Sequence, residues 1–459
     1  MKHRHIIAVA TAVLTAGLAA CGSSSAPSSS SSGPAVPSSG TLNIWLMSGS
    51  APVALSGSGV GQTCNSSGVT TTTTGTWVTG FEQANPGWTV DITCQGWSGI
   101  VAKVTSALAS SSPPDALEMG NTQVTGFADT GGLADLTSDS FPNESTWLAG
   151  LKGAGTYQNK LFGIPYYAGG RLVIYNTAMF TAAGITGPPT TTAQLITDGQ
   201  AIQTAEKSTA NFCSLWLPGE SWYQIFSYLA DANTGAASAD PIASYANGKW
   251  TGTLESSTNE QALTALKSMR DQISSCSAPD QTDTTYDVPM IHQTAAMVMQ
   301  PSWAEGVVTS EAAKLTPPVS ASDFGVFPIP GANGPAPVFL GGSNLGVAQK
   351  SPNKAMAVKF LQYVTDNENM SDLTTLGGVT PNTTSLFGLC GAAGSPQYFS
   401  CQGAKSTWFT PTSPGESTVE NDKVYEDMLA SIFTGQKTVD QAAKAADTLL
   451  NQYLNASAS

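Results

Sequence analysis

The sequence predicts an α/β fold, a largely parallel sheet with helices on its faces, distributed over two sizeable lobes. Two observations carry this. Short apolar runs of strand character alternate with stretches of helical spacing from Leu42 to Gly132. At 459 residues the chain is also too long for one simple hydrophobic core.

The first strand is expected at Leu42-Asn43-Ile44-Trp45-Leu46. Residues 48–76 are rich in Gly, Ser and Thr and read as an irregular insertion. Trp77 to Ala84 has helical spacing and stops at Asn85-Pro86-Gly87. Thr89 to Thr93 alternates as a strand, and Ile100 to Ala109 places Val101, Val104, Thr105 and Leu108 on one helical face. Ala116 to Met119 follows Pro113-Pro114-Asp115 as a buried strand, and Thr122 to Asp129 is helical up to Gly131-Gly132. Later helices are marked by their starts. Ser257-x-x-Glu260, Ser417-x-x-Glu420 and Thr438-x-x-Gln441 fit the capping box. Ser351-Pro352 fits an N-cap followed by proline at the first helical position. From Val439, the residues Ala442, Ala443, Ala446, Leu449, Leu450 and Tyr453 form one apolar stripe.

Composition excludes several functions. Only 11% of residues are charged and the formal net charge is −14, which repels nucleic acid and anionic headgroups. There are three histidines, two of them (His3 and His5) in the first five residues. His292 is left alone, so multi-histidine zinc sites are excluded, and its place before an apolar run suits a structural or surface role. No Walker loop, G-x-S-x-G, H-E-x-x-H or C-x-x-C occurs. No cofactor and no metal are expected. Seven cysteines leave an even number after Cys21, which suggests disulfides outside the cytoplasm. Six cysteines permit many pairings; nearest neighbours would join Cys64–Cys94, Cys213–Cys276 and Cys390–Cys401.

The amino terminus combines Lys2 and Arg4 with an apolar run from Ile6 to Ala20, too short to cross a bilayer comfortably. Leu18-Ala19-Ala20-Cys21 then precedes Gly22 and a Ser/Pro tract. This resembles a bacterial lipoprotein signal. The resemblance implies cleavage of residues 1–20, a lipid anchor on Cys21, a flexible tether over 21–40, and a place on the outer, extracytoplasmic face of the cytoplasmic membrane.

Four further segments carry a second resemblance. They are Phe81 to Gly87; Pro114 to Gln123 continuing through Gly132-Leu133-Ala134-Asp135-Leu136-Thr137; Leu161 to Arg171 with Ile174-Tyr175-Asn176; and Gly341 to Val347 leading to Ser351-Pro352-Asn353-Lys354. The tail from Phe433 to Ala442 agrees with them. In order and spacing these stretches resemble the extracellular solute-binding proteins of carbohydrate ABC importers, the family that includes maltose-binding protein. The insertion with Cys64 and the stretch from Cys390 to Cys401 depart from the pattern. The resemblance implies a two-lobe periplasmic-binding-protein-like α/β fold with a hinge crossed three times. Lobe one would take 41–167 and 341–388, and lobe two 168–340 and 389–459. It implies a monomer that captures a carbohydrate, without chemistry, and delivers it to ABC permease subunits in the membrane.

A sugar presents C–H faces that pack on aromatic rings and hydroxyls that need paired donors and acceptors. Trp303, after the strand Ala296–Met299, is placed where the family has a stacking Trp. Trp222 either lines the cleft or packs within a helix face. Tyr166 and Tyr167 sit at the first hinge crossing, where at least one should reach ligand. Arg171 binds hydroxyls or braces the hinge. Glu118, Asn121 and Gln123 follow a strand at its carboxyl end, where open α/β sheets hold ligands. Ser343 and Asn344 belong to a glycine-rich hinge loop. Trp45 and Trp97 point into the cleft or into the core. Two other functions compete: a secreted glycoside hydrolase, for which Glu118 and Glu305 are the conceivable carboxylates, and the same fold binding a polyamine or another small solute.

Overall fold

A computed structural model describes residues 37–48, 50, 70–72, 76–234, 241–276 and 285–456. Its strands are β1 (Gly40–Met47), β2 (Thr70–Thr72), β3 (Trp88–Gln95), β4 (Ala116–Gly120), β5 (Thr156–Tyr157), β6 (Lys160–Leu161), β7 (Ile164–Asn176) and β8 (Cys213–Trp216). They continue with β9 (Ala243–Ala246), β10 (Lys249–Gly252), β11 (Ala295–Pro301), β12 (Phe324–Phe327), β13 (Val338–Val347), β14 (Thr380–Pro381) and β15 (Thr407–Trp408).

The main sheet runs β2-β3-β1-β4-β13-β7-β11-β8, with β12 and β14 paired to β7 and β15 paired to β13. It is mixed, not largely parallel. Parallel pairing holds within each half, β1 with β3 and β4, and β11 with β8. Both long strands, β7 and β13, pair antiparallel with each other and with their neighbours β4 and β11. They carry the chain across and back, so one must oppose the other.

Burial separates along those two strands. On β7, Ile164, Tyr166 and Tyr167 pack with a core drawn from residues 42–167 and 345–379. Leu172 and Ile174, then Val173 on the opposite face, pack with cores drawn from residues 172–454. On β13, Phe339 belongs to the later core and Leu345 to the earlier one. Each core buries many Leu, Ile, Phe and Met side chains, each contributing about 1.5–3 kcal/mol. A small cluster of Leu148, Leu151, Ala168 and Leu340 joins the halves at the crossing. Cys213 is joined to Cys276 and Cys390 to Cys401. Cys94 is also half of a disulfide, and its expected partner Cys64 lies outside the described residues, as does Cys21.

Several expected helix starts move by one or more residues. The helix Ser257–Ile273 is capped by Ser256, whose side chain accepts from the Asn259 N–H, and not by Ser257. Ser351 does not cap the helix Lys354–Val364; its hydroxyl donates to Asp115 at 2.5 Å. The helix Glu416–Asn421 begins after Gly415, so Ser417 lies inside it and Glu420 is free of any capping role. Thr438 and Gln441 do form the capping box of Val439–Tyr453. The stripe on that helix is interrupted by buried Asp447, which accepts from the N–H groups of Leu254 and Glu255 at 3.0 and 2.8 Å. His292 is exposed at the end of the helix Asp287–Ile291.

The register of β13 against β7 shifts between Ser343 and Asn344. There the Asn344 side chain is wholly buried and donates to the carbonyls of Leu151 and Gly163 at 3.0 and 3.1 Å. It is a structural brace and does not line the cleft. Asn344→Ala would remove a donor from the buried Gly163 carbonyl and from that of Leu151, which keeps the Gly155 N–H, and is expected to lower stability by about 1–3 kcal/mol in chemical denaturation.

Candidate functional site

A cleft of about 430 Å³ opens where β4, β7, β11 and β13 converge. Its walls come from both halves of the chain. Trp97, Asn121, Thr122 and Gln123 contribute from one side, and Tyr223, Gln300, Trp303 and Glu420 from the other. Tyr167, Arg171, Phe339 and Ser343 form the floor.

Local structure sets each side chain. Trp303 directly precedes the helix Ala304–Ala312 and is 39% exposed. Its indole lies against Gly169, where a Cβ would overlap the ring. Trp97 follows β3 in a turn and is 42% exposed. Two exposed indoles lining one cleft offer flat apolar faces for a contact. Arg171 lies on β7 and lines the cleft. Its Nη1 donates to the Gly169 carbonyl at 3.2 Å, and its guanidinium lies 4.8 Å from the Phe339 ring centroid and 5.2 Å from that of Tyr223. A Cβ at Gly341 would overlap that guanidinium, so a side chain there would displace it from this position.

Asn121 is fixed by its backbone N–H to Gly342 and by its amide to the Leu340 carbonyl, both at 3.0 Å. Gln123 accepts from the Gly120 N–H at 3.2 Å. The buried Nε2 of Gln300 and Oε1 of Gln224, both on the cleft lining, have no protein partner. Buried amide groups are almost always satisfied, so an orphan donor and an orphan acceptor in a cleft are addressed to a ligand or water.

Other expected residues lie elsewhere. Glu118 is wholly buried behind the cleft, where its Oε2 accepts from the Met47 N–H at 2.8 Å and from the Ser50 hydroxyl. Burial raises its pKa, against the lowering effect of those bonds and of nearby Ser343 and Tyr167. Tyr166 is wholly buried, edge-on to Tyr167 with centroids 5.3 Å apart. Trp45 packs with the helix Ile100–Ala109 and lies under the Lys103 ammonium. Trp222 is core, packed with Phe226, Trp408 and Tyr425. Of the two places open to Trp222 it takes the core, and Tyr223, one residue further round the helix, lines the cleft. The hydrolase pair is not assembled either, since neither Glu118 nor Glu305 lines the cleft.

The sequence reading missed Glu420, the single carboxylate among the described residues of the cleft lining. Its oxygens accept from Tyr223 at 3.3 Å and Thr122 at 3.4 Å. Its signal was a glutamate in a chain sparse in charge, which the capping pattern claimed instead. Burial raises its pKa, and the charge of Glu426 adds to this. Glu426, beside Lys423 and Glu220, is pushed up to about 7, mainly by burial. The folded protein therefore holds protons that the unfolded chain has released. That stabilisation is full below the unfolded value of 4.5 and is lost as pH rises through about 7. Glu426→Gln mimics the neutral carboxyl. Its melting temperature is expected to exceed that of the native protein at about pH 8, with the difference closing by pH 4.5.

Comparison with known proteins places this geometry. Residues 76–388 match the family model described as bacterial extracellular solute-binding protein. The diacetylchitobiose-binding protein DasA of Streptomyces coelicolor is 29% identical over 467 residues, covering 99% of each chain. Among solved structures, the GacH receptor of Streptomyces glaucescens superposes with a TM-score of 0.72 at 20% identity, over 91% of this chain and 98% of that one. The sugar-binding protein MalE of Xanthomonas citri does so with a TM-score of 0.70 at 18% identity, over 90% and 97%. The fold is thus the two-lobe α/β fold of these proteins. The match spans well over half of the chain, and the protein belongs to the bacterial extracellular solute-binding family.

Proposed function

We propose that the protein captures a neutral saccharide in this cleft, without altering it, and presents it to the permease of an ABC importer. The observation that carries this is that two half-exposed indoles, Trp97 and Trp303, line one cleft with Gln224 Oε1 and Gln300 Nε2, which have no protein partner. The indoles suit the C–H faces of a pyranose, and the amides suit its hydroxyl or acetamido groups. Among the described residues one cation and one carboxylate line the cleft, so it favours no strongly charged solute. DasA, similar over the whole chain, makes diacetylchitobiose the first ligand to test.

The lobes that close on the ligand are 41–167 with 341–388 and 168–340 with 389–459, a division supported by the separation of the buried cores. The family is extracytoplasmic. We place this member at the outer face of the cytoplasmic membrane as a monomer, anchored through lipid on Cys21 and a tether that ends near Pro37, whose carbonyl accepts from the Trp88 indole at 3.2 Å.

A thermal-shift panel of diacetylchitobiose, maltose, glucose and spermidine, with product analysis of the same mixtures, tests this. One saccharide should raise the melting temperature saturably, by the equivalent of about 2.7 kcal/mol at a hundredfold excess over Kd, and be recovered intact. Stabilisation by spermidine alone, or cleavage of the saccharide, would reject it. Trp303→Ala should weaken binding at least tenfold, about 1.4 kcal/mol, and leave the melting temperature of the free protein close to that of the native chain, because the ring is partly exposed.

A further inference from the structure

A second cavity, of about 610 Å³, is larger than the cleft and shares none of its residues. It lies between two hairpins, β5–β6 and β9–β10, and the end of the last helix. On one wall, Tyr245 and Trp250 are directly opposite in register, so their rings stand side by side with centroids 5.0 Å apart. Tyr245 is 60% exposed. The hairpin is pinned to the last helix: the Trp250 N–H donates to Asn455 Oδ1 and Asn455 Nδ2 donates to the Trp250 carbonyl, both at 2.9 Å.

The other wall is the two-residue turn Gln158-Asn159, with φ of 48° and 60°. Both values lie in the left-handed region, and such a turn ordinarily takes glycine at one of these places. Gln158 is costly there, yet it keeps an amide at the cavity edge, where its Nε2 donates to the Tyr157 hydroxyl at 3.0 Å. Tyr157 is itself held by Asp129. Among the described residues, no charged side chain lines the cavity.

A rigid, exposed aromatic face across from fixed neutral amides is the chemistry that recognises a pyranose ring. An anionic or cationic ligand would find no counter-charge, and a peptide helix would find no continuous apolar groove. We propose that this cavity is a second carbohydrate site, separate from the cleft, that takes a neutral saccharide through Tyr245, Trp250 and the Gln158-Asn159 turn.

Saturation-transfer NMR on the full mature chain tests it, with diacetylchitobiose, chitin oligomers of increasing length, cellobiose and maltose as probes. In Trp303→Ala, residual saccharide binding should persist, and Trp303→Ala/Tyr245→Ala should weaken it at least fivefold. Tyr245→Ala alone should leave the tight affinity of the cleft unchanged. Residual binding that ignores Tyr245→Ala, or none in Trp303→Ala across the panel, would overturn the second site while leaving the cleft intact. Absence of binding to every saccharide by the native protein would overturn both.

Discussion

The cleft depends on the close approach of β7 and β13 at their glycines. A side chain at Gly169 would expel the Trp303 indole, one at Gly341 would collide with Arg171, and one at Gly342 would meet the Tyr167 carbonyl. With glycine at these places the two strands form a thin floor on which rings and a guanidinium lie flat. Arg171 then stacks on Phe339 and Tyr223, joining a residue of β7 to one of β13 and one of the helix Trp222–Ala232. Each such contact contributes about 0.5–2 kcal/mol, more where water is excluded. The same strands carry the chain between the cores, so the cleft floor and the crossings between the cores are built from one element pair.

Charge plays a small part in holding the halves together. The ion pair of Lys423 with Glu220 at 3.2 Å joins two residues of the same half, lies at the surface and contributes at most about 1 kcal/mol. Hydrogen bonds reach across from the helix Val124–Asp129 region, Thr125 to the Ser413 carbonyl at 3.1 Å and Thr122 to Glu420 at 3.4 Å. These are long or neutral, and each nets about 0.5–1.5 kcal/mol. A fold that closes and reopens around a ligand needs contacts of this strength and not stronger ones.

Much of the fold was legible in the sequence. Periodicity located the helix Ile100–Ala109 and the strand at Ala116, because local pattern and burial agree there. The antiparallel pairing of β7 and β13 was not legible, since it follows from where the chain returns and not from composition. Trp97, Asn121, Gln123, Tyr167, Arg171, Trp303 and Ser343 line one cleft. Glu118, Tyr166, Trp222, Trp45 and Asn344 do not line the cleft. Trp222 and Tyr223 show why: adjacent helical residues point about 100° apart, and one residue of phase exchanges core for cleft. The orphan amides of Gln224 and Gln300 emerge only from a complete account of hydrogen bonds.

The most direct test of a saccharide held by indoles from both walls is a crystal structure grown with diacetylchitobiose. A sugar ring should lie with its C–H face within about 4 Å of the Trp303 indole, its polar groups paired with Gln224 and Gln300. A saccharide bound at full occupancy elsewhere, with the space between Trp97 and Trp303 holding only water, would contradict the account.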